Sequence, residues 1–319
     1  MQIKLWGVRG SISSPVSSSE YKNKIHSIIK RVIESKFNDL NNIDDFIKGL
    51  PDELRYMYGG NTTCATVTSN SGKMYIIDCG TGLRPLGDKL MEGNCYSGKG
   101  VINIFMTHNH WDHIQGLPFF KPLYIKGNVL NFYSPYKNQE EALTNQMTPP
   151  YFPATFTGTA STKIFNLLDV KNRTSVKLEN DLVVDFFPLK HPGGSFAYKF
   201  TQAGKSFIFA TDAEFTGESL EKTGLEVDFF KNADLLVLDS QYTLDESFMK
   251  IDWGHTSVTM AVNCGLRWNV KHLVLTHHEP SYRDDVLLEN LKTAREHMAM
   301  SNNSSMNISL AREDMVFQL

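Results

Sequence analysis

The chain alternates short apolar runs with longer amphipathic stretches. Short apolar runs that end at polar turns are typical of buried strands, and ten of them occur, at residues 3–8, 64–69, 74–77, 101–106, 129–133, 182–187, 196–201, 206–210, 235–238 and 272–275. Apolar positions at helical spacing predict helices over residues 21–37, 83–91, 256–266 and 283–298. Thr256 or Ser257 is placed to cap the third helix. Strands in both halves, with helices between and outside them, predict packed sheets covered by helices.

Two segments depart from this pattern. Residues 15–58 are charged, mostly helical and poor in strand-like runs. Residues 134–162 carry aromatic side chains among prolines: Tyr151, Phe152 and Phe156 beside Pro149, Pro150 and Pro153. Both are interpreted as insertions in a single domain spanning 1–319. The second insertion is either a lid over a functional site or only a packed surface loop, since loops near sites often gate them.

Composition narrows the class of protein. A chain of 319 residues that is 41% hydrophobic can bury a sizeable core. Its formal net charge of -3 gives no support to binding long nucleic acid. No stretch approaches the roughly 18 apolar residues that span a bilayer, and the first residues read as a strand and not as a signal peptide. The scattered cysteines form no CxxC pair and predict buried, reduced thiols in a cytoplasmic protein: Cys64, Cys79, Cys95 and Cys264.

The densest cluster of reactive side chains follows the predicted strand 101–106. Three of the ten histidines and one aspartate occur within six residues: His108, His110, Asp112 and His113. A loop at a strand end can turn such side chains toward one point. Imidazole and carboxylate groups are ligands for zinc, iron or manganese, and this spacing suits a pair of adjacent metal ions. The alternative is a polar turn with incidental histidines.

Further candidate ligands occur where other predicted strands end. His191, Asp212 and His277 each follow an apolar run, and His278 is a rival for His277. A lone histidine at a strand end is more often an ordinary turn residue. Three such residues beside the first cluster favour metal ligation, because ligands converge where strands of one sheet end.

Taken in order, these residues resemble the five motifs of the metallo-β-lactamase superfamily, whose first motif matches Asp78 in IIDCGTG. The resemblance implies an α/β (α+β) fold, a four-layer αββα sandwich. It implies that one divalent metal is held by His108, His110 and His191. It implies that a second is held by Asp112, His113 and His277. Asp212 would bridge the two metals and Asp78 would orient the histidine loop. Zinc is the expected metal, with manganese or iron as alternatives.

The segment Gly254-His255-Thr256-Ser257 resembles a motif of tRNase Z and of the phosphonate-pathway cyclic phosphodiesterases. In those families this histidine contacts the phosphate and helps to protonate the leaving oxygen. The preceding segment 235–242 is similar to the tRNase Z segment whose carboxylate holds that histidine, with Asp239 in place of glutamate. The resemblance implies a hydroxide activated between two metals, oriented or generated by Asp112, with His255 as acid. The alternative for His255 is a surface residue that caps a helix.

The motifs at 6–11 and 58–64 resemble those of a phosphodiesterase-like branch of the superfamily. There Asn61 either points its amide at the substrate or only fixes the turn before a strand. The long Gly/Lys-rich arm with which tRNase Z grips tRNA is not evident, which favours a small or cyclic phosphodiester as substrate.

Other activities stay open at this stage. They are hydrolysis of another ester, such as a thioester or lactone, and oxygen binding or sensing by a di-iron centre. A homodimer is possible by resemblance to the family.

Overall fold

The computed structural model describes residues 1–179, 181–221, 225–301 and 305–319. The strands form two seven-stranded sheets. The first contains β1 (Gln2–Gly7), β2 (Cys64–Thr68), β3 (Met74–Ile77), β4 (Val101–Phe105), β5 (Val129–Ser134), β6 (Thr162–Leu167) and β14 (Val316–Gln318). The second contains β7 (Val176–Lys177), β8 (Leu182–Leu189), β9 (Ser195–Gln202), β10 (Lys205–Ala210), β11 (Leu235–Asp239), β12 (His272–Thr276) and β13 (Asn307–Leu310).

Each sheet pairs parallel strands over one half and antiparallel strands over the other. The first sheet runs β14-β1-β2-β3-β4-β5-β6, with parallel pairing from β3 to β6 and antiparallel pairing among the others. The second runs β13-β12-β11-β10-β9-β8-β7, with parallel pairing from β10 to β13. Because β8 and β10 are both antiparallel to β9, they point the same way. The carboxyl ends of β8, β10, β11 and β12 therefore share one edge.

Helices connect and cover these strands. They are α1 (Ser18–Ser35), α2 (Ile43–Lys48), α3 (Asp52–Arg55), α4 (Leu83–Leu90), α5 (Trp111–Ile114), α6 (Gln139–Gln146), α7 (Gly217–Glu221), α8 (Leu225–Phe230), α9 (Leu244–Met249), α10 (Val258–Arg267) and α11 (Asp284–Ala299). Short 3-10 turns occupy Leu40–Asn42, Leu117–Phe119 and Lys121–Tyr124. Ser257, one of the two predicted caps, accepts a hydrogen bond from the Met260 amide and begins α10.

Three hydrophobic clusters define the layers. The central cluster joins the inner faces of both sheets, as where Phe105 of β4 packs edge-on against Phe200 of β9. A second cluster packs α10 and α11 against the second sheet, and a third packs α4 and the turns after α5 against the first. The four-layer αββα sandwich predicted from the sequence is confirmed.

The ten predicted strands are all present, but four more went unpredicted. These are β6, β7, β13 and β14, all at or next to a sheet edge. The burial of β6 alternates between exposed and half-buried side chains, so it lacks the apolar run that marks the central strands. Such half-exposed strands resemble amphipathic loops in sequence.

The two insertions differ in how they attach to the sandwich. No side chain of α1, α2 or α3 is fully buried. In the segment 134–162, by contrast, Phe156 is buried against Phe132 and Phe165. The Gln139 amide also donates to Asn109 in the histidine loop, at 2.7 Å. The packing fits a fixed surface loop along part of this segment; the lid and the single domain stay predictions.

Two sequence expectations about the chain's chemistry can be compared with the structure. All four cysteines are buried, and burial raises the pKa of the Cys64, Cys79 and Cys95 thiols. No helix among the described residues is both long and apolar enough to cross a bilayer.

Candidate metal centre

The predicted site residues meet at the carboxyl ends of strands from both sheets. Asp78 follows β3 and the histidine loop follows β4, while the other candidates end or follow strands of the second sheet: His191 after β8, Asp212 after β10, Asp239 at the end of β11 and His277 after β12. The last residues of β3, β4, β10, β11 and β12 are buried, so the polar side chains emerge where the apolar runs stop. The structure thus brings these side chains, separated by up to about 200 residues, to one edge of the sandwich.

Three of these residues have left-handed backbone conformations. Asp78, Asp212 and His277 have φ angles of 61°, 56° and 62°. This region costs a non-glycine residue on the order of 1–3 kcal/mol and persists only where the surroundings enforce it. The conformation breaks each strand abruptly and turns the side chain toward the shared edge. Strain concentrated at three strand ends is typical of a functional site.

A first set of side chains, the histidine group, consists of His108, His110 and His191. Their ring nitrogens and a carboxylate oxygen of Asp212 all lie within 4.8 Å of one another. His191 Nδ1 donates to the Gly254 carbonyl at 2.9 Å, which leaves Nε2 free, 2.9 Å from His110 Nδ1. The Nε2 of His191 therefore has its lone pair and faces the His110 ring.

A second set, the carboxylate group, consists of Asp112, His113 and His277. It also meets Asp212, so that Asp212 is shared by both groups. His113 Nε2 lies 3.0 Å from Asp212 Oδ2. His277 Nε2 lies 3.3 Å from Asp112 Oδ2 and also 3.3 Å from Asp212 Oδ2. This group is more deeply buried than the histidine group, in which His110 is exposed.

The residues present fit divalent metal ions. Three buried atoms at the centre have no hydrogen-bond partner among the described residues: His108 Nε2, His113 Nε2 and Asp212 Oδ2. His113 Nε2 and Asp212 Oδ2 are close, but their angles are not those of a hydrogen bond. Metal–ligand bonds of about 2 Å give tetrahedral edges of about 3.3 Å, close to these spacings. Imidazole and carboxylate are ligands for zinc, iron or manganese.

Electrostatics divide the two groups. Burial, and then the charge of His113, hold the pKa of His108 well below its ordinary value, and burial lowers the pKa of His110 and His191. In the carboxylate group burial acts in the same direction, but the carboxylates of Asp212 and Asp112 outweigh it. They raise the pKa of His113 well above its usual range and that of His277 to about 9.

The carboxylates respond to the same interactions in the opposite sense. Burial on its own raises the pKa of Asp112 and Asp212, but the neighbouring histidines, His113 above all, lower it below its ordinary value. The carboxyl groups of Asp112 and Asp212 are thus anionic at neutral pH and suited to hold cations.

Asp78 positions the histidine loop. It accepts hydrogen bonds from the Thr107 amide and hydroxyl at 2.8 and 2.7 Å, and from His113 Nδ1 at 2.8 Å. Because Nδ1 of His113 is the donor to Asp78, Nε2 is the nitrogen that can exchange its proton for a metal. Burial raises the pKa of this carboxyl group in spite of those bonds. A carboxylate behind a ligating histidine is a common outer support of metal sites.

Asp239 and His255 form a third cluster beside the other two. His255 Nδ1 lies 2.7 Å from Asp239 Oδ2. Fully buried Asp239 also accepts from the backbone amides of Asp212, Gln241 and Thr256. The shorter aspartate side chain therefore reaches the histidine. The His255 ring lies 5.2 Å from that of His191 and 4.9 Å from that of His277, so it borders both groups.

Two sequence alternatives are narrowed by the contacts. His278 is turned away, with Nε2 donating to the Ala311 carbonyl at 2.8 Å, and burial lowers its pKa to about 3. His277 therefore lies in the cluster and His278 does not. The Asn61 side chain donates to Glu313 at 3.1 Å, and the Asn61 backbone carbonyl accepts from the amides of Val8 and Arg9. These contacts match a residue that fixes the turn.

Several neighbours of the site were missed by sequence reasoning. The Ser11 amide donates to Asp112 Oδ2 at 2.8 Å. Gly10 lies so close to His277 that an added Cβ would come within 2.5 Å of the ring. Gln241 contacts Nδ1 of His277 at 3.2 Å. The motif at 6–11 contained the first two, but a backbone amide and a missing side chain carry no chemical signature in sequence.

Comparison with known proteins extends this description. A sequence model of the beta-lactamase superfamily domain matches residues 73–278, more than half of the chain. The chain belongs to the beta-lactamase superfamily. Within it, the chain is similar to Ribonuclease Z of Prochlorococcus marinus subsp. pastoris (strain CCMP1986 / NIES-2087 / MED4). The two are 26% identical over 278 residues, covering 69% of this chain and 83% of that protein.

Two solved structures show the same fold. The metallo-beta-lactamase fold protein YhfI from Bacillus subtilis has a TM-score of 0.62 at 16% identity, covering 99% of this chain and 98% of that one. A diphosphatase from the PhnP family has a TM-score of 0.59 at 17% identity, covering 100% and 97%. The protein is accordingly a hydrolase of the metallo-beta-lactamase fold, which implies that it binds divalent metal ions.

Proposed function

We propose that this superfamily member is a phosphodiesterase that cleaves small or cyclic phosphodiesters with two divalent metal ions, zinc being the expected metal. The observation that carries the proposal is the Asp239–His255 pair. It places an imidazole beside both ligand groups, oriented through Nδ1 and with Nε2 free. A simple metal-dependent ester hydrolase needs no such pair, whereas a phosphodiester with a poor leaving group needs a proton donor.

The histidine group would hold one metal and the carboxylate group the other, with Asp212 shared. Divalent cations held there supply Lewis-acid charge stabilisation and make water nucleophilic near neutral pH. Asp78 keeps His113 in the tautomer whose Nε2 faces the centre. The Ser11 amide fixes one oxygen of Asp112, so that this carboxylate has a defined orientation from which it can also orient the attacking water.

His255 would act on the leaving-group side. Its Nδ1–H is held by Asp239, so a proton on Nε2 can pass to the departing oxygen as the P–O bond breaks. Thr256, whose amide and hydroxyl bond to Asp239 and the Ala213 carbonyl, fixes the backbone that carries His255.

The negative net charge and the missing tRNase Z arm support a small phosphodiester over long nucleic acid, and two relatives support reaction at phosphorus. The formal net charge of -3 offers no excess of cations for a phosphate backbone. Ribonuclease Z and the PhnP-family diphosphatase are both named for reactions at phosphate groups, which supports phosphorus as the reacting centre. The long Gly/Lys-rich arm of tRNase Z has no counterpart in the sequence.

Turnover of bis(p-nitrophenyl) phosphate tests the proposal. The protein is stripped of metal and then loaded in turn with zinc, manganese and iron, and bound metal is counted in each sample. We expect two metals per chain and turnover that a chelator abolishes. A thioester and a lactone are assayed in parallel. Two bound metals with hydrolysis of only those two substrates would overturn the phosphodiesterase assignment.

A further inference from the structure

Gln241 lies between the Glu279 carboxylate and His277, one of the histidines of the carboxylate group. It follows β11 and is 2% exposed. Its Nε2 is 2.9 Å from Glu279 Oε2, and its Oε1 is 3.2 Å from His277 Nδ1. A buried amide between Glu279 and His277 must direct its NH2 end at an acceptor and its oxygen at a donor.

Glu279 determines which way this amide points. A carboxylate accepts hydrogen bonds and does not donate them, so the NH2 end of Gln241 must face Glu279. The reverse orientation would set two acceptor oxygens about 2.9 Å apart, which is repulsive. The carbonyl end of the amide therefore faces His277.

The amide in turn determines the tautomer of His277. An amide oxygen only accepts, so Nδ1 of His277 must carry a hydrogen, and in the neutral ring the lone pair is then on Nε2. The other acceptor near Nδ1 is Asp239 Oδ2, at 3.7 Å, and it already accepts from His255 and from the Asp212 amide. Gln241 is thus the partner that fixes Nδ1–H.

Other histidines of the centre are supported in the same sense by different groups. Nδ1 of His113 is held by the Asp78 carboxylate and Nδ1 of His191 by the Gly254 carbonyl. In each case an acceptor behind the ring leaves Nε2 free for the centre. Gln241 supplies the equivalent contact at His277 with a neutral amide, whose direction depends on Glu279.

We infer that Glu279 and Gln241 form a relay that sets the tautomer and ring orientation of His277, which makes both of them positioning residues for the metal of the carboxylate group. The inference rests on the metal-binding part of the proposed function and not on its substrate. Loss of such an outer contact weakens metal binding by about 10–100-fold. The metal of the histidine group should be unaffected.

The variant Gln241→Met tests the relay, because methionine matches the length of glutamine and lacks the acceptor. In zinc-loaded protein labelled with 15N in its histidines, NMR reports which nitrogen of His277 carries the hydrogen. Zinc retention against a competing chelator reports the affinity of each group. We expect a mixed or reversed His277 tautomer and about 10–100-fold weaker binding of one zinc.

Gln202→Met is the matched control. Gln202 is likewise a 2% exposed glutamine, in β9, whose amide bonds to Asp181 and Asn70 away from the centre. It should retain both metals with wild-type affinity. A Gln241→Met protein that binds both zinc ions as tightly as this control, with Nδ1–H of His277 unchanged, would overturn the relay.

A charge exchange tests the direction of the relay independently of folding losses. Gln241→Glu alone sets two carboxylates together and should weaken the second zinc. In the double variant with Glu279→Gln, the carboxylate at position 241 accepts from His277 and the amide at position 279 donates to that carboxylate. The double variant should therefore recover most of the zinc affinity of the carboxylate group. No recovery would count against the relay. Wild-type protein that retains fewer than two zinc ions would instead overturn the proposed metal centre itself.

Discussion

The histidine group and the carboxylate group occupy adjacent strand ends but differ in surroundings. The histidine group is partly open, and burial lowers the pKa of its imidazoles. The carboxylate group is buried, and its anionic neighbours raise the pKa of His113 and His277. In the metal-free protein one group is therefore ready to bind a cation at neutral pH, while the other must first lose protons. Similar ligands can thus bind metal with different pH dependence.

Asp212 joins the two groups, so its replacement should have the largest effect. Asp212→Asn removes the shared anion and leaves the charges of His113 and His277 less compensated. Both metals should be lost, and turnover should fall by about 10³-fold or more, because metals supply several kcal/mol of transition-state stabilisation. Asp234→Asn, at a buried carboxylate paired with Lys205 and Lys271, is the control. Retention of both metals by Asp212→Asn would contradict the shared role.

Single ligand replacements should separate the groups. His110→Ala is expected to lose the metal of the histidine group together with activity, whereas His113→Ala should lose the metal of the carboxylate group. Metal counting after dialysis against a weak chelator checks this, with one metal expected in each variant instead of two. Full activity in metal-loaded His110→Ala protein would refute its assignment as a ligand.

The pH dependence of metal binding should differ between the groups. With a metal-free pKa of about 9, His277 is protonated below that pH, so a metal must displace its proton. The pKa of His113 is raised as well, so binding displaces a proton from each of two histidines. Affinity at the carboxylate group should therefore rise by more than about tenfold per pH unit between pH 7 and about 9. The histidine group, whose pKa values lie below the ordinary 6.5, should change little over that range. Competition titrations at several pH values measure both, and parallel slopes would remove the distinction.

A smaller effect should follow from crowding one side only. Gly10→Ala places a Cβ within 2.5 Å of the His277 ring, so the ring or the loop must shift. Overpacking of this kind costs about 1–3 kcal/mol, and we expect roughly tenfold weaker metal binding at the carboxylate group. Gly217→Ala is the control, because an added Cβ there meets no neighbouring atom within 4 Å. Equal losses at both groups would show a general distortion.

The sequence was sufficient for the central strands and for the residues that meet at the centre. Apolar runs such as 101–106 are long enough to identify a buried strand, and the histidines after it have a distinctive spacing. Edge strands such as β6 and β14 escaped because half-exposed strands lack that run. The resemblance of the chain to the superfamily is confirmed by the match over residues 73–278.

The supports of the centre were less accessible to sequence reasoning. Ser11 acts through its backbone amide, 101 positions from Asp112, and any residue type could supply that group. Gln241 and Glu279 gain their significance only because β11 and β12 are neighbours. The left-handed φ of Asp78, Asp212 and His277 likewise depends on tertiary packing. The types of the ligand residues can be recognised from short sequence motifs, whereas the orientation of their side chains depends on tertiary contacts.

The most direct test of the account compares leaving groups in wild-type protein and in His255→Ala, with metal content measured in every sample. A p-nitrophenolate leaves without a proton, whereas an alkoxide needs one. We expect unchanged metal content, a small loss of turnover with p-nitrophenyl esters, and a loss of about 10²–10⁴-fold with alkyl phosphodiesters. Equal losses for both kinds of ester, or metal content that falls in step with activity, would contradict the role of His255 as the acid.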